Sequence, residues 1–211
     1  ATVLRDRAVS QCKAECFEEA TRLFLRALYE FDAVGNHRYA AVVENNYGYL
    51  LLCVDRFNEA ETHLRNARNR FDELGDNVRR AQVDDTLAHL YIRLGKFSDA
   101  EKAILSSIST LEAGDEEALL AESLNTRALL LCRQDRFNEA KGVLQGALQI
   151  AQHCGDTERF AKTLLIIGDQ LIEKLDRNEV LELRLRLSKS LDLNLQLSTQ
   201  ESIRLILERI R

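Results

Sequence analysis

The sequence has no proline, no methionine and no tryptophan. Without proline, helix ends must be marked by glycine and by capping side chains. No run of 18 apolar residues occurs and no signal peptide opens the chain, which argues against a membrane span and for a soluble, cytoplasmic location. A basic stripe is also missing. With a net charge of −5 and a pI near 5.5, this segment is not expected to bind nucleic acid. The five cysteines, Cys12, Cys16, Cys53, Cys132 and Cys154, are odd in number and match no disulfide or zinc spacing. Cys12 and Cys16 lie one helical turn apart, yet free thiols packed as small hydrophobes in a reducing compartment explain all five. There is no phosphate-cradling glycine loop, no His-Glu-x-x-His and no nucleophile elbow. The chain is therefore read as a non-enzyme with no cofactor and no metal. It begins without Met and stops at Ile210-Arg211 after an apolar helix, so a piece of a longer protein is expected.

What is present is a repeat. Asp-Arg-Phe-Asn-Glu-Ala occurs at 55–60 and again at 135–140, and Gly95-Lys96-Phe97-Ser98-Asp99-Ala100 lies midway between them. The period is therefore 40 residues. A fixed period of this size marks stacked supersecondary units, which bind other molecules rather than transform them. Blocks of 40 align further columns. One reads Ala8, Gly48, Ala88, Ala128, Gly168; another reads Ala20, Ala60, Ala100, Ala140, Val180; a third reads Ala27, Ala67, Ser107, Ala147, Leu187. Small residues at fixed points imply close backbone approach, and the large column Phe17, Phe57, Phe97, Phe137 fills the space beside it. Between columns the apolar residues fall at helical spacing, as in Leu87, Leu90, Tyr91 and Leu94. Gly35-Asn36, Gly75-Asp76, Gly114-Asp115 and Gly155-Asp156 punctuate the blocks. Each pairs a left-handed helix C-cap with a capping residue for the next helix. Every block then reads as helix, turn, helix and glycine turn.

These columns resemble the tetratricopeptide repeat. Gly48, Phe57, Ala60 and Ala67 sit at that family's relative spacings, and the resemblance spans residues 1–190. The proline that closes the second helix in the shorter form is missing. The Gly-Asp or Gly-Asn turn and the 40-residue length are similar to the longer variant of kinesin light chains, Pins-type scaffolds and Rap-type bacterial regulators. The resemblance implies an all-α, right-handed superhelical solenoid of about five repeats at about 1–40, 41–80, 81–120, 121–160 and 161–197. One domain is expected over 1–211, with a capping helix over about 198–211.

The C-terminal stretch is ambiguous in pattern. Leu181, Leu183, Leu185 and Leu187, then Leu191, Leu193, Leu195 and Leu197, alternate with polar residues as a strand would. A lone strand in a helical stack would leave its backbone unpaired. The expectation is helix to about 188, an irregular stretch, then a capping box at Ser198 and Glu201 before the apolar face Ile203, Ile206, Leu207, Ile210. Arg177 in the Phe column and Val180 in the Ala column show the fifth block leaving the pattern.

For function, the resemblance points to first-helix positions that avoid the packing columns and line a concave groove. The candidates are Asn45, Asn46, Tyr49, Asp85, His89, Arg93, Asn125, Arg133 and Asp169. A side-chain amide has both a donor and an acceptor, which suits the backbone of an extended peptide, so Asn45, Asp85 and Asn125 form a candidate ladder. Arg93 and Arg133 would take a carboxylate. Asp85 and His89 stand at i, i+4, but no third metal ligand is evident. The functional expectation is a scaffold or sensor module that binds a protein or extended peptide, as the docking domain of a larger, bacterial-type regulator. The alternative is self-association through the Leu-rich C-terminal end.

Overall fold

The computed structural model describes the backbone of residues 2–210 and the side chains of residues 17–210. The columns at Ala8, Cys12 and Cys16 thus lie outside the described side chains. The chain divides into two compact units, residues 1–86 and 87–211. All regular structure among the described residues is helical.

The first unit holds α1 (Thr2–Ala33), α2 (His37–Cys53), α3 (Phe57–Glu73) and the beginning of α4 (Asn77–Arg93). The first block does not fold as two helices; α1 runs through it unbroken. The reason lies in the turn column. In the second, third and fourth blocks the chain reverses at Asp55, Gly95 and Asp135, all left-handed, with φ of 62°, 70° and 59°. The residue after each donates its N–H five positions back, as Arg56 does to the Leu51 carbonyl at 2.9 Å, which is the Schellman closure of a helix. The first block has Glu15 in that column. Glutamate is a good helix former and lacks the short polar side chain that eases the left-handed region, so the helix continues.

Between blocks the predicted dipeptides work as expected at three of four places. Gly35, Gly75 and Gly155 have positive φ. Asn36, Asp76 and Asp156 then accept from the N–H of Tyr39, Arg79 and Arg159. Gly114-Asp115 departs from this: Gly114 is not left-handed, and α6 starts after Glu116 with no side-chain cap.

The small columns are buried from the second block through the fourth, and the Phe column is half-buried beside them. Ala60, Leu64 and Ala67 are fully enclosed in the first unit. A Cβ on Gly48 would come within 2.7 Å of Leu64 Cγ. Nothing larger than glycine fits there while α2 and α3 keep their approach.

The second unit continues from Leu87 through α5 (Phe97–Glu112), α6 (Glu117–Arg133), α7 (Phe137–His153) and α8 (Thr157–Gln170) to α9 (Arg177–Ser190) and α10 (Leu197–Arg209), with a single 3₁₀ turn at Ile172–Lys174. Ala88, Ala100, Ala128, Ala140 and Ala147 are fully buried in it, and Ser107 bonds Ser123 at 2.9 Å inside the stack.

At the C-terminal end helix wins over strand, as the backbone argument requires. The capping box, however, forms at Asp176 and Glu179, at the start of α9, instead of at Ser198 and Glu201. Helix α10 begins one residue earlier than expected, and its N-terminus is satisfied from outside. Glu158 of α8 accepts from the Gln196 N–H at 3.0 Å and from Thr199 Oγ1 at 2.5 Å. Burial pushes the Glu158 carboxyl pKa up, but these two bonds and Lys162 outweigh it and hold the group below the usual carboxylate range. Ile203, Ile206 and Ile210 of α10 pack with Leu164, Leu183 and Leu187, covering α8 and α9 as a cap should. Both ends of α10 lie 40 positions beyond Thr157 and Asp169 of α8, so the helix keeps the register of a further first helix.

Candidate functional site

The candidate residues divide between the two units. In the first, Asn46 and Tyr49 are exposed on α2, while Asn45 and Asp85 are half-buried. The Asn45 Oδ1 is enclosed and accepts no hydrogen bond. One residue earlier in each helix the chain is charged and buried. Glu44, 3% exposed, meets His63 Nδ1 of α3, whose ring stands edge-on to Tyr47 at 4.6 Å. Asp84, 2% exposed, accepts from Arg68 Nε at 2.6 Å and from Arg80 Nη1 at 3.2 Å. These pairs tie α2 to α3 and α3 to α4; they are interior links rather than ligand groups.

In the second unit, His89 Nε2 lies 2.9 Å from Thr126 Oγ1. Asn125 is not the exposed, dispensable ladder rung that its column suggests. It is 8% exposed, and its Nδ2 donates to Thr163 Oγ1 at 2.9 Å. Thr163 in turn donates to the Arg159 carbonyl at 2.9 Å, which fixes the direction of the amide. The amide thus links α6 to α8. Arg93 and Arg133 are exposed. Asp169 is also exposed and lies against α10, with Arg209 Nη1 at 3.0 Å from its Oδ1 and Gln170 Nε2 at 2.5 Å from its Oδ2.

Beside that ion pair, α6, α8 and α10 enclose a pocket of about 760 Å³. Its apolar wall is Leu129, Leu165, Ile166, Leu205 and Ile206, and its polar edge includes Asp169, Ser202 and Arg209. The volume is within the usual range of ligand sites, and an apolar wall with a few convergent polar groups is their usual character. A Cβ on Gly168 would come within 2.7 Å of Ile206 Cγ2, so this glycine lets α10 close the pocket. Leu129, Leu165 and Ile166 occupy the same columns as Tyr49, Asn125 and Thr126. A search for polar groups passes over them, and α10 reads as a cap alone; its 40-residue register was the signal available for the remaining wall.

Among the described residues no helix is long and apolar enough to cross a membrane. Residues 39–113 match the family model described as Tetratricopeptide repeat. The crystal structure of BtubC (BKLC) from P. vanneervenii is similar in fold, with a TM-score of 0.73 and 19% identity over 92% of this chain and 82% of that one. No curated protein matches the chain.

Proposed function

We propose that this chain, whose residues 39–113 are tetratricopeptide repeats, is a protein-binding module that holds a partner segment on the first-helix face of residues 87–211. Such repeats generally mediate protein–protein interaction, and all-helical repeat folds of this kind are generally non-enzymatic scaffolds. The observation that carries the reading is the apolar pocket among α6, α8 and α10, with the Asp169–Arg209 pair at its edge. An apolar side chain of the partner enters between Leu129, Leu165 and Ile166. Arg133, one turn beyond Leu129, and the Asp169–Arg209 pair then fix the direction of its backbone and flanking groups. On the first unit, Asn46 and Tyr49 present an amide and an aromatic ring to a partner, in the manner of their column.

The test is selection of a displayed random peptide library against the protein. Enriched peptides should share an apolar residue, and Leu165→Asp should weaken their binding about tenfold or more while leaving the helical circular dichroism intact. Peptides that bind Leu165→Asp as well as the parent would move the site elsewhere.

A further inference from the structure

The C-terminal end differs from the rest of the chain in charge. Residues 177–211 carry seven basic and five acidic side chains, net +2, while residues 1–176 carry −7. Two of these basic side chains, Arg184 and Arg204, line one cleft. Leu181, Arg184, Leu185 and Ser188 follow each other at i, i+3, i+4 and i+7 on α9, so they form a single stripe. All four are exposed, Leu181 and Leu185 at 55% each. Arg204 of α10 stands beside them, and Arg184, Ser188 and Arg204 line one cleft of about 270 Å³ together with Leu207 and Glu208.

Several arginines of the second unit have a carboxylate partner: Arg136 has Glu139, Arg159 has Asp156, Arg186 has Glu182 and Arg209 has Asp169. Among the described residues Arg184 and Arg204 have no such partner, although Glu208 shares their cleft. Two like charges facing one cavity repel each other, and a shared anion relieves that repulsion. Ser188 adds a neutral hydroxyl donor at the same place. The flanking leucines add an apolar contact that a lone small anion would not use.

From this we infer that the α9–α10 face is a docking surface for an acidic peptide segment carrying apolar residues. Its carboxylates enter between Arg184 and Arg204, and its apolar side chains rest on Leu181 and Leu185. Glu208 opposes the incoming carboxylate and limits the affinity. This surface shares Glu208 with the pocket of α6, α8 and α10, but Arg184, Ser188 and Arg204 do not line that pocket.

The experiment uses a fluorescein-labelled peptide of repeated Glu-Glu-Leu and, as control, one of repeated Lys-Lys-Leu, titrated with the whole chain by anisotropy in low and moderate salt. The acidic peptide should bind and the basic one should not, and binding should weaken as salt rises. Arg184→Gln with Arg204→Gln should reduce the affinity about tenfold or more with an unchanged melting curve. Glu208→Gln should change it in the other direction, tightening binding by a few-fold. That sign separates a carboxylate site from a loss of folding. Equal binding of both peptides, an unaffected double arginine variant, or weaker binding by Glu208→Gln would each overturn the inference. So would a chain that ignores both peptides and instead doubles its mass with concentration, since the leucines would then belong to a second copy.

Discussion

The two units solve the same packing problem with different chemistry. Four residues before the small column stand Glu44 and Asp84 in the first unit, and Leu124 and Leu164 in the second. The carboxylates are buried against His63, Arg68 and Arg80, whereas Leu164 is buried among Ala161, Leu183 and Ile203. The small column differs in the same way. Gly48 makes room for Leu64 of the hairpin partner α3, and Gly168 makes room for Ile206 of α10. One column can therefore close a hairpin or accept a further helix, depending on which neighbour has the large side chain. A conserved-looking position in a repeat fixes a distance and leaves the partner open.

The contrast is tested most severely by removing a charge. Asp84→Ala leaves Arg68 and Arg80 without the carboxylate that both contact. Breaking a buried pair costs about 3–5 kcal/mol. The lower end applies, because Arg68 is 36% exposed and can turn to water, and Arg80 keeps Asp72 at 3.6 Å. Urea unfolding should show a loss of about 3 kcal/mol. A change under about 1 kcal/mol would mean that the charged interior of the first unit is no more demanding than an exposed ion pair.

A smaller effect distinguishes the two asparagines that share a groove reading. Asn125→Ala removes the donor to Thr163 in the second unit and should destabilise by about 1–3 kcal/mol. Asn46→Ala, on an exposed position of the first unit, should stay within about ±0.5 kcal/mol. Equal melting temperatures for both variants would place Asn125 back on the surface as a ligand group.

These differences mark how far the sequence could be read. The period, the small columns and the Gly-Asn or Gly-Asp turns were legible because each rests on a local rule: close approach, left-handed φ or an N-cap. The unbroken α1 was not, since a helix that should have turned differs from its neighbours only by Glu15 in one column. The site was half legible. Column arithmetic reached Asp169, Leu129 and Leu165, but choosing polar residues over apolar ones discarded the pocket wall. Whether an asparagine faces a groove or a neighbouring helix is set by rotation of a few tens of degrees, which a 40-residue period does not encode. Asn125 turned inward because Thr163 stood within reach.

The smallest expected effect concerns the hairpin turns, where the second unit uses the same backbone with different residues. Asp135 holds a φ of 59° and Gly95 one of 70°, each at the residue that reverses the chain. A left-handed residue with a Cβ costs roughly 1–2 kcal/mol, less for aspartate, whose short side chain tolerates the region. Glycine avoids that strain but gives up about 0.5–1 kcal/mol to the greater freedom of its unfolded chain. The two terms nearly cancel. Asp135→Gly should therefore raise stability by no more than about 0.5 kcal/mol, and Gly95→Asp should lower it by a similar amount. Asp135→Val should lose well over 1 kcal/mol, because a β-branched side chain has no relief at positive φ. Thermal melts of the three variants would check the order. If Asp135→Val melts with the parent, the turn is not held in the left-handed conformation, and the account of why α1 fails to turn at Glu15 would go with it.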